Sequence, residues 1–149
     1  MHCTLTILAC ALLRTVAAQT LDTCVTKHPN GATSMKYTFY TDTTADTVKH
    51  GLYERYYENG QIAERGYYEH GEKDSLWIRW RVRGSKIDVQ MWKDGYKDGP
   101  VCAWSRWGAY DLTGNYCQGK RHGRWRFYAV DTLGEGRYRS EEHTSELQS

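Results

Sequence analysis

No sign of charge dominates this chain. Its 20 Lys and Arg residues face 18 Asp and Glu, a formal net charge of +2 at pH 7. A dedicated nucleic-acid binder concentrates far more basic charge than that, so nucleic acid is not an expected partner. Long hydrophobic runs are also lacking. The run Leu5-Thr6-Ile7-Leu8-Ala9-Cys10-Ala11-Leu12-Leu13 is well short of the ~20 residues a membrane-spanning helix needs. No C-x-x-C pair occurs, which removes zinc ribbons and thioredoxin-like redox motifs. The G-x-S-x-G, H-E-x-x-H and phosphate-loop patterns are missing as well. Nothing in the motif content points to catalysis, a cofactor or a metal.

What the chain does carry is a period of 24 residues. His50-Gly51, Asp74-Ser75, Asp98-Gly99 and His122-Gly123 open four units of equal length. Three residues past each start stands Tyr53, Trp77, Val101 or Trp125, and six past stands Tyr56, Trp80, Trp104 or Tyr128. Gly60, Gly84 and Gly108 follow in three units; later come Tyr68, Trp92 and Tyr116, then Gly71, Gly95 and Gly119. A base closes each unit: Lys49, Lys73, Lys97, Arg121. A fixed period with several matched columns means one small structural unit copied in series.

The segments between glycines, such as Leu52 to Tyr57, Ile62 to Tyr68, Trp77 to Val82 and Ile87 to Trp92, are short and rich in aromatic and β-branched residues. That is strand composition at strand length. Asn59-Gly60, His70-Gly71 and Asp94-Gly95 supply turns with positive φ. Each unit reads as a β-hairpin, and the series as an all-β, single-layer, open-ended antiparallel meander. Centring the boundary turn between Tyr68 and Trp77 sets those rings opposite each other, and likewise Trp92 with Val101 and Tyr116 with Trp125. The two aromatic columns differ by an odd number, so either they occupy opposite faces or a bulge intervenes; the expectation is aromatics on both faces, one row largely buried and one partly exposed.

The columns resemble the bacterial MORN-repeat-variant family, whose units run G-x-W-x-x-Y-x-x-x-G and then Y-x-x-G-K-x-x-G. The closest copies are His50-Gly51-Leu52-Tyr53-Glu54-Arg55-Tyr56-Tyr57-Glu58-Asn59-Gly60 and Tyr116-Cys117-Gln118-Gly119-Lys120-Arg121-His122-Gly123-Arg124-Trp125. The likeness spans residues 49–128, with Ser75 and Val101 as departures. It implies a repeat sheet without catalytic activity that serves as an interaction module. Some family members act as antitoxins of toxin–antitoxin pairs, and the wider MORN class is associated with membranes and protein scaffolding.

Four regions follow. Residues 1–18 read as a secretory signal peptide, with Val16-Ala17-Ala18 as the cleavage signal and Gln19 as the mature start, so the protein is expected to be exported. A lipoprotein acylated at Cys10 is the alternative. Residues 19–48 carry no repeat and read as an N-terminal cap: a turn at His28-Pro29-Asn30-Gly31, a strand over Met35 to Tyr40 covering the edge of the first hairpin, and a loop from Thr41 to Asp46. Residues 49–138 hold the repeats, the last one cut short. Residues 139–149 look like a translated sequencing adapter, foreign to the fold. Without both ends the net charge of residues 19–138 is +3.

Cys24, Cys102 and Cys117 remain once the leader is removed. An odd number leaves one thiol unpaired unless its partner is missing. A bond from Cys24 to either of the others, stapling the cap to the repeats, is the preferred pairing, with Cys102 to Cys117 across the third hairpin as the alternative. His50 and His122 share a column with Asp74 and Asp98. Equivalent positions ~10 Å apart cannot share one metal, so these residues are expected in turns.

The expected binding residues are Tyr56, Trp80, Trp104 and Tyr128 on the exposed aromatic row, with Lys73, Lys97 and Arg121 in a basic row along one sheet edge. Tyr and Trp dominate protein-binding hot spots, so a protein partner is the first expectation. An anionic membrane surface or envelope polysaccharide is the second, and a toxin neutralised by the chain is the third.

Overall fold

The computed structural model describes residues 20–105, 110–130 and 136–143. Among them, ten strands form one antiparallel sheet in chain order: β1 (Asp22–Lys27), β2 (Thr33–Thr41), β3 (Thr47–Tyr56), β4 (Ile62–Glu69), β5 (Glu72–Trp80), β6 (Lys86–Lys93), β7 (Tyr96–Trp104), β8 (Tyr110–Cys117), β9 (Lys120–Val130) and β10 (Gly136–His143). Among the described residues the sheet is open and has no second layer. The all-β meander of repeated hairpins read from the period is the architecture observed. The expected leader lies outside the described residues.

Two turn types alternate. At one margin of the sheet the hairpins close tightly on His70-Gly71, Asp94-Gly95 and Gln118-Gly119, with φ positive at both residues of each pair, the two-residue turn that matches strand twist. At the other margin Tyr57 N–H donates to Gln61 O at 2.8 Å and Gly60 N–H to Tyr57 O at 2.9 Å, a pattern repeated at Arg81 to Ser85. His28 to Ala32 makes the same two bonds, so β1 and β2 form one more hairpin of this kind. The expected strand over Met35 to Tyr40 is β2, paired with β3. β1 carries no sequence column, because the turn between β2 and β3 has five residues, Asp42 to Asp46, and breaks the period.

Both margins tie each unit to the next. Gly71, Gly95 and Gly119 donate their N–H groups to Lys49, Lys73 and Lys97 carbonyls at 2.8, 3.0 and 2.8 Å. Opposite, the Tyr57 hydroxyl donates to Trp80 O at 2.7 Å and Arg81 Nη2 to Trp104 O at 2.8 Å.

A bulge recurs once per unit. Residues 50–52, 75–77, 98–100 and 123–125 each face one residue of the preceding strand: Thr38, Gly66, Met91 and Gly114. The second position of each unit start carries the positive φ, from 58° at Ser75 to 104° at Gly99. The unit starts therefore lie within strands, at bulges, and the expectation that His50, Asp74, Asp98 and His122 are turn residues is corrected.

The bulge also corrects the register. Tyr68 pairs with Lys73, Trp92 with Lys97 and Tyr116 with Arg121, not with the aromatic or valine four residues further on. The tight turn is centred on residues 70 and 71, two residues before the assumed centre, and the bulge absorbs the difference. The rings still meet along the diagonal: Tyr68 and Trp77 at 5.2 Å and 90°, Tyr116 and Trp125 at 5.0 Å and 82°. Edge-to-face pairs of this kind add ~0.5–1.5 kcal/mol beyond area burial.

No disulfide forms among the three described cysteines, contrary to the expected pairing. Six strand steps separate β1 from β7, about 29 Å, against a Cα separation of ~6 Å in a disulfide. Cys102 pairs with Thr113, four residues from Cys117, which puts those two about 13 Å apart along the strand.

Candidate functional site

Strand alternation sorts the side chains into two faces of different character. The front face carries Tyr53, Trp77, Val101 and Trp125, all buried, with Trp125 at 0% exposure. The back face carries Glu54, Tyr56, Arg65, Ile78, Trp80, Val89, Cys102 and Trp104. Tyr56, Trp80 and Trp104 are only half-buried. Aromatics on both faces, one row buried and the other partly exposed, is the arrangement the odd spacing implied.

The expected site residues divide between these faces. Lys73, Lys97 and Arg121 do run along the tight-turn margin, but their side chains fold over front-face rings. Lys73 Nζ lies 3.7 Å from the Trp77 centroid and 5.1 Å from that of Trp92; Lys97 Nζ lies 4.9 Å from Tyr116; the Arg121 guanidinium lies 4.7 Å from Trp125. Lys49 sits in the same way among Tyr37, Tyr53 and Tyr68 at 5.1 to 5.5 Å. A base four residues before a ring shares its face, which is why the basic row is a roof over the aromatics and not a projecting edge. Each such contact contributes ~0.5–2 kcal/mol depending on desolvation. Tyr128 lies in β9 across from Tyr138, and its side chain is outside the described residues.

Ion pairs complete the front roof. Glu64 meets Arg55 and Lys73, each at 3.4 Å, and Arg79 pairs with its cross-strand neighbour Asp88. Burial raises the Tyr53 and Tyr68 hydroxyls above their ordinary titration range.

One column of this face was not recognised from sequence. Gly66, Gln90 and Gly114 recur at the 24-residue spacing. A Cβ built on Gly66 would fall within the Trp77 ring, and one on Gly114 within the Trp125 ring. Glycine is the seat on which each indole lies flat. In the third unit seat and ring change together, to Gln90 and Val101, which are direct partners. Both are buried, at 6% and 7% exposure. The signal was present as a covariation between columns 11 residues apart. The missing ring leaves an open depression of about 340 Å³ bordered by Trp77, Trp92, Val101, Leu112 and Tyr116, with Lys97 at its rim.

Among the described contacts the back face shows no comparable row of cations. Lys86 Nζ stands 5.8 Å from the Trp104 centroid. Glu54, 6% exposed, accepts from the Tyr56 hydroxyl at 2.7 Å and from Arg65 Nε at 2.9 Å. Burial pushes its carboxyl pKa up, but the Tyr56 hydroxyl and the Arg65 guanidinium outweigh that and hold it below the usual range. Tyr56 is raised in turn, first by that hydrogen bond and then by burial. Around this network large apolar side chains stay in solvent: Val25, Tyr67, Leu76 and Tyr96 are 49, 51, 43 and 62% exposed, and alternation places all four on the back face.

Compared with known protein families, curated proteins and solved structures, the chain matches none.

Proposed function

We propose that this chain is a non-catalytic, exported binding module that recognises a protein partner through the back face of its sheet. One observation carries the reading: the front-face rings are covered by the chain's own cations, whereas the back face exposes Tyr67, Leu76 and Tyr96 beside the half-buried Tyr56, Trp80 and Trp104. Apolar area left in water on one side of a single-layer sheet is the surface an interface removes. Tyr and Trp lose little conformational entropy on contact and dominate binding hot spots. On this reading Lys73, Lys97 and Arg121 hold the front face together and do not touch the partner. The resemblance to MORN-repeat-variant proteins agrees with an interaction module, and an antitoxin is the form that such a module takes in part of that family.

A second reading rests on the front depression, where Trp77, Trp92 and Tyr116 with Lys97 offer ring faces and a cation to an envelope polysaccharide. Affinity capture from envelope extracts of the source cells separates the two. A protein held by the wild type and by Trp92→Ala, but weakened by about 2 kcal/mol or more with Trp80→Ala, supports the back face. Retention of polysaccharide that Trp92→Ala abolishes and Trp80→Ala leaves intact replaces it with the second reading.

A further inference from the structure

We propose that the tight-turn end of the first repeat hairpin is a divalent metal site of the zinc type, formed by His50, Glu69 and His70 and oriented by Tyr40. This goes beyond the binding function proposed above and does not depend on it. The three residues each present one ligand atom, all within 4.8 Å of one another. His70 Nε2 lies 3.3 Å and His50 Nδ1 3.9 Å from Glu69 Oε1. Four-coordinate zinc, with bonds of about 2.0–2.2 Å, needs donor atoms about 3.3–3.5 Å apart. The Glu69–His70 separation already fits; the other two, His50 to Glu69 at 3.9 Å and His50 to His70 within 4.8 Å, need a rotation of the His50 side chain.

The sheet supplies its own control. In the first two units the tight turn faces the start of the unit's first strand, where a side chain accepts the N–H of the first turn residue. His70 N–H donates to His50 Nδ1 at 3.4 Å, and Asp94 N–H to Asp74 Oδ2 at 3.4 Å; zinc on His50 Nδ1 takes the lone pair used in the first of these long hydrogen bonds and replaces it. Aspartate performs that task in the next unit, and turn position one holds Asp94 or Gln118 elsewhere. The residue before it is Glu69 here but Lys93 and Cys117 in the later units. Only the first repeat hairpin fills all three positions with a metal-ligating set, and His70 there holds a φ of 48°, which histidine, like asparagine and aspartate, adopts more readily than most residues.

Tyr40 gives the independent support. Its ring, 9% exposed, stands edge-on to both imidazoles, at 5.7 Å from His50 and 6.1 Å from His70. Its hydroxyl is 3.1 Å from His70 Nδ1. With Nδ1 donating to Tyr40 Oη, the His70 lone pair is on Nε2, the atom that faces Glu69. Metal-bound histidines are oriented in this way by a partner on the second ring nitrogen. Two nitrogens and one carboxylate oxygen form a borderline donor set suited to Zn²⁺, with the fourth position open to water.

Zinc titration of the full chain by calorimetry at neutral pH is expected to show one Zn²⁺ per molecule. His70→Asn keeps a residue favoured at that turn position and removes the ligand; with His50→Asn it should weaken zinc at least tenfold. Tyr40→Phe, which leaves all three ligands, should weaken it about tenfold, the lower end of the range for loss of an orienting partner. Cobalt should give ligand-field bands without thiolate charge transfer, separating this site from Cys24, Cys102 and Cys117. No zinc uptake by the wild type, equal uptake by His70→Asn, or a thiolate band each overturns the proposal.

Discussion

Trp77 and Trp80 are three residues apart and have different jobs. Trp77 is 3% exposed, lies on Gly66, meets Tyr53 and Tyr68 at 5.5 and 5.2 Å, and donates its indole N–H to Tyr67 O and Asp74 O at 3.1 Å. Removing it strips the packing between β4 and β5 and takes from Lys73 the nearer of its two rings, leaving it Glu64 and Trp92. Trp80 is half-buried on the other face. Trp77→Ala is expected to cost about 3 kcal/mol, within the usual range for a buried aromatic, and Trp80→Ala well under half of that. Thermal melts of the two variants check it, and a larger loss for Trp80→Ala would reverse the assignment of faces. The alternation of these residues was legible in their odd spacing. Which face is buried was not, because that depends on the lysine roof and the glycine seat, both contributed by other positions.

At the scale of the element, ring and seat form a unit that should behave non-additively. Gly66→Gln alone drives a side chain into the Trp77 indole, and Trp77→Val alone opens a hollow. The third unit already contains the combined solution, Gln90 with Val101. The double substitution Gly66→Gln with Trp77→Val should therefore be at least 1 kcal/mol more stable than the sum of the single effects predicts, a coupling of the size seen for residues in contact. Chemical denaturation of the four proteins in the cycle measures it, and additive effects would show that seat and ring are independent. The repeat hairpins, their order and the glycine turns at Gly60, Gly71 and Gly95 were readable from the period. The bulge was not, since two extra residues per unit leave the 24-residue repeat unchanged and shift only the partnership across strands. That is why rings expected face to face, such as Tyr68 and Trp77, meet on the diagonal. The period also concealed the first hairpin, whose strands β1 and β2 follow the same plan without the same columns.

For the whole molecule, a sheet in which each strand touches only its neighbours makes the effect of a truncation local. Of residues 139–149, read as foreign from their sequence, Arg139 to His143 form the far half of β10 and pair with Phe127 to Gly123; the rest lie outside the described residues. Main-chain hydrogen bonds place few demands on side-chain identity at an edge. Deleting the segment should leave the melting temperature within a few degrees and reduce hydrogen-exchange protection only in β9. Loss of protection as far as β5 would mean that the segment is integral to the fold. The candidate site was partly legible at this scale. Tyr56, Trp80 and Trp104 do share a face, but the bases grouped with them belong to the other one. His50, Glu69 and His70 converge only because a bulge in β3 and a turn after β4 end at the same margin, a meeting of positions 20 residues apart that no local spacing announces.

Equal units carry a hazard that unequal ones escape: a strand can join the wrong partner one full repeat away and still satisfy every backbone bond, a familiar route to misassembly in repeat proteins. The alternation of seats guards against it. If β6 skipped ahead to β9, Gln90 would be forced against the Trp125 indole; if β4 skipped ahead to β7, Gly66 would face Val101 across an empty gap. Every slip of one repeat sets a ring or a gap against the wrong seat. The odd unit at Gln90 and Val101 thus works as a parity mark in the array, one that separates each near-identical word from its nearest copies.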